Sequence, residues 1–134
     1  MESSTVRILL VEDFEPFRIL IRAILEQKPG LHIIAEVSDG LDAVQKAVEL
    51  KPHLILLDIG LPFLSGFDAA RLIRKLAPDS RILFVSQEFS PLIVQEALSL
   101  GASGYVFKTK LASDLLLAVA AVRQGKTFVS SELP

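Results

Sequence analysis

The chain has no cysteine, which excludes disulfides, thiolate metal sites and cysteine nucleophiles together. That absence fits a reducing cytoplasm. Charge is nearly balanced: a net charge of −2 provides neither a basic surface for nucleic acid nor a strongly acidic one. No apolar stretch reaches membrane-spanning length, and the opening MESST lacks a basic-then-apolar secretory pattern. A glycine-rich loop of the GxxxxGK[ST] type is missing, so nucleotide hydrolysis lacks its phosphate cradle. Histidine is scarce as well, and His32 and His53 have no acidic neighbours at ligand spacing; both read as structural. What remains is a chain of 134 residues, 51% apolar and 22% charged. That is the composition of one globular domain with a substantial core, expected to be soluble and cytoplasmic.

Five short apolar runs punctuate it: Val6–Val11, Ile33–Val37, Leu54–Leu57, Ile82–Val85 and Tyr105–Phe107. They are mostly continuous rather than alternating, as in parallel strands covered on both faces. Between them lie helical stripes. Phe17, Leu20, Ile21, Ile24 and Leu25 form the first, and Leu41, Val44, Ala47 and Val48 the second. Ala69, Leu72, Ile73 and Leu76 form a third that closes before Pro78. A weaker segment follows at residues 91–100, and Leu111, Leu115, Ala118, Val119 and Val122 complete the set before Gly125. Strand and helix alternating in this way predict right-handed βαβ units and a doubly wound sheet.

Ligands of open α/β sheets bind beyond the carboxyl ends of the strands. There the sequence places Glu12 and Asp13 after the first run, Asp58 after the third, Ser86 after the fourth and Lys108 after the fifth. Three clustered carboxylates need a cation. An all-oxygen set without His or Cys suits a hard ion, Mg²⁺ above all. An aspartate beside such an ion is placed to attack a phosphoryl donor in line, with Lys108 as a second positive charge and Ser86 as a hydrogen-bonding hydroxyl. Each residue also has a plainer reading. Asp13 or Asp58 alone reads as a helix N-cap, Lys108 as a solvated lysine and Ser86 as a turn hydroxyl. Phe14, Phe17, Phe63 and Phe67 read as packing residues. The joint placement, each group at the end of its own strand, favours the chemistry.

The stretches ILLVED (8–13), LILLDIGLPFLSG (54–66), ILFVS (82–86) and GYVFK (104–108) resemble the receiver domain of two-component response regulators. The resemblance spans nearly the whole chain. It implies a flavodoxin-like (βα)5 fold, strand order 2-1-3-4-5, over residues 1–130. It implies Asp58 as phosphoacceptor, supplied by a phosphohistidine on a sensor histidine kinase. Glu12 and Asp13, with Asp58 and the Gly60 carbonyl, become the Mg²⁺ ligands, Lys108 the partner of the phosphoryl group, Ser86 the switch hydroxyl and Tyr105 the aromatic that moves with it. Pro62 and Gly66 shape the loop after the third strand.

GYVFKT and the ending GKTFVSSELP are most similar to the NarL/FixJ (LuxR-type) subfamily. This implies a linker starting at 131–134, a helix-turn-helix output domain beyond it through which DNA is bound, and a possible homodimer, with no role for a membrane. The implied activity is a signalling switch that catalyses only its own phosphorylation and dephosphorylation. Two departures stand beside the switch serine: Gln87 is bulky where the family has a small residue, and Glu88 adds a negative charge. They keep open a second reading, a pseudo-receiver that binds partners without phosphate. An aspartate-nucleophile phosphatase would carry an acid where Gly60 stands, and a flavin carrier would have a Ser/Thr/Gly loop in place of Glu12-Asp13.

Overall fold

Residues 5–131 are described by the computed structural model. Strands β1 (Val6–Val11), β2 (Leu31–Val37), β3 (Leu54–Leu57), β4 (Arg81–Ser86), β5 (Gly104–Phe107) and β6 (Phe128–Val129) alternate with helices α1 (Glu15–Leu25), α2 (Gly40–Leu50), α3 (Gly66–Leu76), α4 (Pro91–Ser99) and α5 (Leu111–Arg123). The sheet runs β2-β1-β3-β4-β5-β6, every neighbouring pair parallel.

The central strands β3 and β5 are buried at every position, which is why they read as unbroken apolar runs. The edge strand β2 is only half-buried along most of its length. Side chains alternate across each strand, so the sheet has two cores. Ile8, Leu10, Leu56 and Val106 pack under the Ile and Leu residues of α1 and α5. Leu9, Ile55, Leu57 and Phe84 pack under α2, α3 and α4, which present mainly alanines (Ala43, Ala47, Ala69, Ala70, Ala97).

Starting residues differ modestly from the apolar runs, since β2 begins at Leu31, β4 at Arg81 and β5 at Gly104. The larger difference is β6. The predicted order 2-1-3-4-5 stands, but Phe128–Val129 extends it by one strand on β5. That segment is too short to show a period. Ser131 has no regular structure, and the rest of the expected linker, 132–134, lies outside the described residues. Two of the four phenylalanines read as packing also depart from expectation. Phe67 meets Phe84 edge-on and Phe17 packs against the α1/α5 core, but Phe14 is 55% exposed and Phe63 82%. Phe63 lies in the β3–α3 loop with φ +67, a left-handed backbone conformation rare for a non-glycine residue.

Side-chain caps go to α2 and α3: Asp39 accepts from the Asp42 N–H and Ser65 from the Asp68 N–H. Neither Asp13 nor Asp58 caps a helix, so the plainer reading of both acids does not hold. Gly66 at the start of α3 sits hard against the carbonyl of Asp58. A side chain there would collide with it, so this glycine lets the β3–α3 loop close over the strand end.

Candidate functional site

Val11 and Leu57 are level at the ends of β1 and β3, so Glu12 and Asp58, the next residues, lie side by side. Their backbones are tied to the sheet, Glu12 N–H donating to Val37 O at 3.0 Å and Asp58 N–H to Val11 O at 3.3 Å. One register further along the rim, Ser86 ends β4 opposite Phe107 of β5. Lys108 follows in a short 3-10 turn over Lys108–Lys110. Fold topology thus gathers six of the expected residues, Glu12, Asp13, Asp58, Gly60, Ser86 and Lys108, around one cavity of about 410 Å³. Gln87 and Glu88 line it too, and the cavity remains open beside them. Tyr105 stands behind Ser86, fully buried.

The Lys108 ammonium is the electrostatic centre. Its Nζ lies 2.8 Å from Glu12 Oε1 and 2.8 Å from Asp58 Oδ2, and Lys108 is itself buried. Asp58 Oδ1 accepts from the Ile59 N–H at 2.7 Å, so both oxygens of that carboxylate are oriented. Glu12 Oε2 accepts from the Phe14 N–H at 3.1 Å. Its Oε1 accepts no well-directed hydrogen bond and is held by charge alone. Burial pushes the Glu12 carboxyl above its ordinary value of 4.5; Lys108 pulls it back and the charge of Asp58 pushes it further up. Single ligand oxygens of Glu12, Asp13 and Asp58 all lie within 4.8 Å of one another.

Ser86 and Tyr105 grip one residue from two sides. Ser86 Oγ accepts from the Glu88 N–H at 3.1 Å, and Tyr105 Oη donates to the Glu88 carbonyl at 2.7 Å. Burial raises the Tyr105 hydroxyl above its ordinary value of 10.0, so it stays a donor at neutral pH. Two contributors escaped the sequence reading. The Phe17 ring, read there as packing, has its centroid 4.4 Å from Lys108 Nζ. Arg18 donates to the Glu12 carbonyl at 3.3 Å and to Ser38 Oγ at 3.2 Å, pinning the end of β1. The available signal was their place in the first turns of α1, which starts at the same rim. Gly66 was expected to shape the loop, and its contact with the Asp58 carbonyl accounts for that.

Carboxylates after the first and third strands, a hydroxyl on the fourth and a lysine after the fifth, on a doubly wound parallel sheet, define a receiver-type signalling domain. The family model of the response regulator receiver domain matches residues 8–120, and the chain belongs to that family. The chain is 31% identical over 128 residues to the transcriptional regulatory protein LiaR of Bacillus subtilis, covering 96% of this chain and 61% of that protein. It is 38% identical over 110 residues to the protein-glutamate methylesterase/protein-glutamine glutaminase of Thermotoga maritima, covering 81% of this chain and 32% of the relative. The chain therefore spans less than two thirds of these curated relatives. Among solved structures, a LuxR-family two-component response regulator from Aurantimonas sp. SI85-9A1 superposes with a TM-score of 0.91 at 32% identity, covering 96% of this chain and 91% of that one. No helix among the described residues is long and apolar enough to cross a membrane.

Proposed function

We propose that this domain accepts a phosphoryl group on Asp58 from a phosphohistidine of a sensor histidine kinase, and that the transfer resets its partner surface. One observation carries the reading. Asp58 is a buried carboxylate with both oxygens oriented, by Lys108 and by the Ile59 N–H, facing an open cavity beside two further acids.

The residues fit a hard divalent ion. The donors are all oxygen, Glu12 Oε1 lacks a directed hydrogen bond, and the three carboxylates outnumber the Lys108 ammonium, which touches two of them. The carboxylates of Glu12, Asp13 and Asp58 and the backbone carbonyl of Gly60 would hold Mg²⁺. When bound, Mg²⁺ supplies positive charge to the phosphoryl oxygens. An Asp58 oxygen then forms the new P–O bond. The P–N bond breaks with its electron pair going to the kinase imidazole, which leaves neutral because its other nitrogen carries the proton. Lys108 moves from the carboxylates to a phosphoryl oxygen. Ser86 Oγ turns to the same group and releases the Glu88 N–H. Glu88 is then held by Tyr105 alone, which loosens the β4–α4 loop and lets α4, β5 and α5 repack into a second arrangement.

That surface serves a homodimer or an output domain. The likeness to LiaR, a transcriptional regulator of which this chain matches 61%, supports a DNA-binding output segment beyond residue 134, with 131–134 as the start of the linker. The domain works in the cytoplasm. The test is intact-mass analysis with acetyl phosphate, with and without Mg²⁺. One phosphate should be gained in Mg²⁺ and none in Asp58→Asn. A gain that persists in that variant would sink the assignment.

A further inference from the structure

The contact between Phe17 and Lys108 has a different character from the others in the site. An ammonium has three N–H donors. Asp58 accepts one of them at 2.8 Å, the Glu12 carboxylate lies against the ammonium as an ion pair at 2.8 Å, and the ring of Phe17 covers another side, 4.4 Å from Nζ to centroid. That is well inside the roughly 6 Å at which the negative face of an aromatic ring attracts a cation. Phe17 is half-buried against the α1/α5 core, leans on Phe14 at 5.5 Å and forms the α1 wall of the cavity. Its ring is therefore fixed by packing rather than by the lysine.

We infer that Phe17 is a positioning residue that keeps the Lys108 ammonium beside Asp58 while its two carboxylate partners are taken from it, an inference that rests on the phosphoacceptor reading above. Glu12 and Asp58 belong both to the ion pair and to the acidic cluster. A divalent ion on that cluster competes with Lys108 for the same oxygens and repels it. Glu88, in the same cavity wall, offers the released ammonium another carboxylate, and the open cavity offers it water. The ring contact is the one Lys108 does not have to surrender. It biases the ammonium toward the position where a phosphoryl oxygen will arrive, so it acts more strongly in the transition state than at rest.

Two readouts test this. The ε-methylene protons of Lys108 should show an upfield ring-current shift in the NMR spectrum of the metal-free protein, and Phe17→Leu should abolish it. Mono-, di- and trifluorophenylalanine at position 17 then weaken the ring's negative face with almost no change of shape, so folding is preserved. With phosphoramidate and Mg²⁺, the maximal phosphorylation rate should fall stepwise, to roughly a tenth for the trifluoro ring, the equivalent of a cation–π contact of about 1.4 kcal/mol. The half-saturating phosphoramidate concentration should not move, and Phe17→Tyr should stay near wild type. A rate that is flat across the fluorinated series overturns the inference, as does an absent ring-current shift. Wild-type protein that takes up no phosphoryl group overturns the function proposed above; the ring-current shift then decides the contact by itself.

Discussion

Replacing Lys108 with methionine would test the electrostatics of the site without any phosphoryl donor. Methionine keeps most of the side-chain volume but leaves Glu12, 1% exposed, and Asp58, 8% exposed, as adjacent unpaired carboxylates. Removing one partner of a buried ion pair costs about 3–5 kcal/mol. The open cavity beside Asp58 lets water reach it, so the lower end applies, about 3 kcal/mol or roughly 10 °C in Tm for a domain of this size. The loss should depend on pH. Burial and the charge of Asp58 already hold the Glu12 carboxyl above 4.5 against the pull of Lys108; without that pull it rises further. An acid raised in the folded state costs nothing while it is protonated in both states. It destabilises as pH climbs from the unfolded value to the folded one, and the full cost is present above both. The gap between wild type and Lys108→Met, read from urea unfolding, should therefore be small near pH 4 and largest near pH 8, roughly. Mg²⁺ at about a hundredfold its Kd should return about 2.7 kcal/mol to the variant at the higher pH. A gap of the same size at both pH values would refute the reasoning.

Three further outcomes follow, two from contacts described above and one from an ion pair between α1 and β2. Gly66→Ala forces a methyl group against the Asp58 carbonyl, so urea unfolding should show a loss of about 1–3 kcal/mol, with slower phosphoryl uptake in whatever remains folded. Tyr105→Phe removes the donor to the Glu88 carbonyl and should cost about 1–2 kcal/mol, with faster hydrogen exchange confined to residues 87–90. Arg22 lowers the Glu36 carboxyl through a bidentate pair at 2.7 Å. That contribution is present above the ordinary value of 4.5 and lost as pH falls through the lowered one, so Glu36→Gln should flatten the acid limb of the stability curve. Both side chains are partly exposed, which limits the effect to about 0.5 kcal/mol.

The sheet was legible because burial on both faces writes itself into composition: β1, β3, β4 and β5 are apolar at nearly every position. Placement of Glu12, Asp58, Ser86 and Lys108 at one rim then followed from parallel topology alone. What stayed hidden has no local signature. β6 contains two residues and exists because the Ser130 N–H reaches the Tyr105 carbonyl at 2.9 Å, while Ser130 Oγ accepts from the Phe107 N–H at 3.1 Å and donates to Asp114 at 2.7 Å. Phe17 and Phe14 sit a single helical turn apart, and both were read as packing; only tertiary geometry separates the ring that faces an ammonium from the one that is largely exposed.

The short sixth strand also decides at which end of the sheet the last described residues lie. A helix that follows a parallel strand runs back, so α5 ends at the rim opposite Asp58 and Lys108. A chain departing there would be tethered a full sheet-height from the chemistry. Because β6 runs parallel to β5, it carries the backbone back across that height and delivers Ser131 to the side of the molecule where Tyr105, Phe107 and Lys108 lie. A few hydrogen bonds to β5, the strand whose own end supplies Lys108, thus hold the backbone up to Ser131 near the rim that carries Asp58.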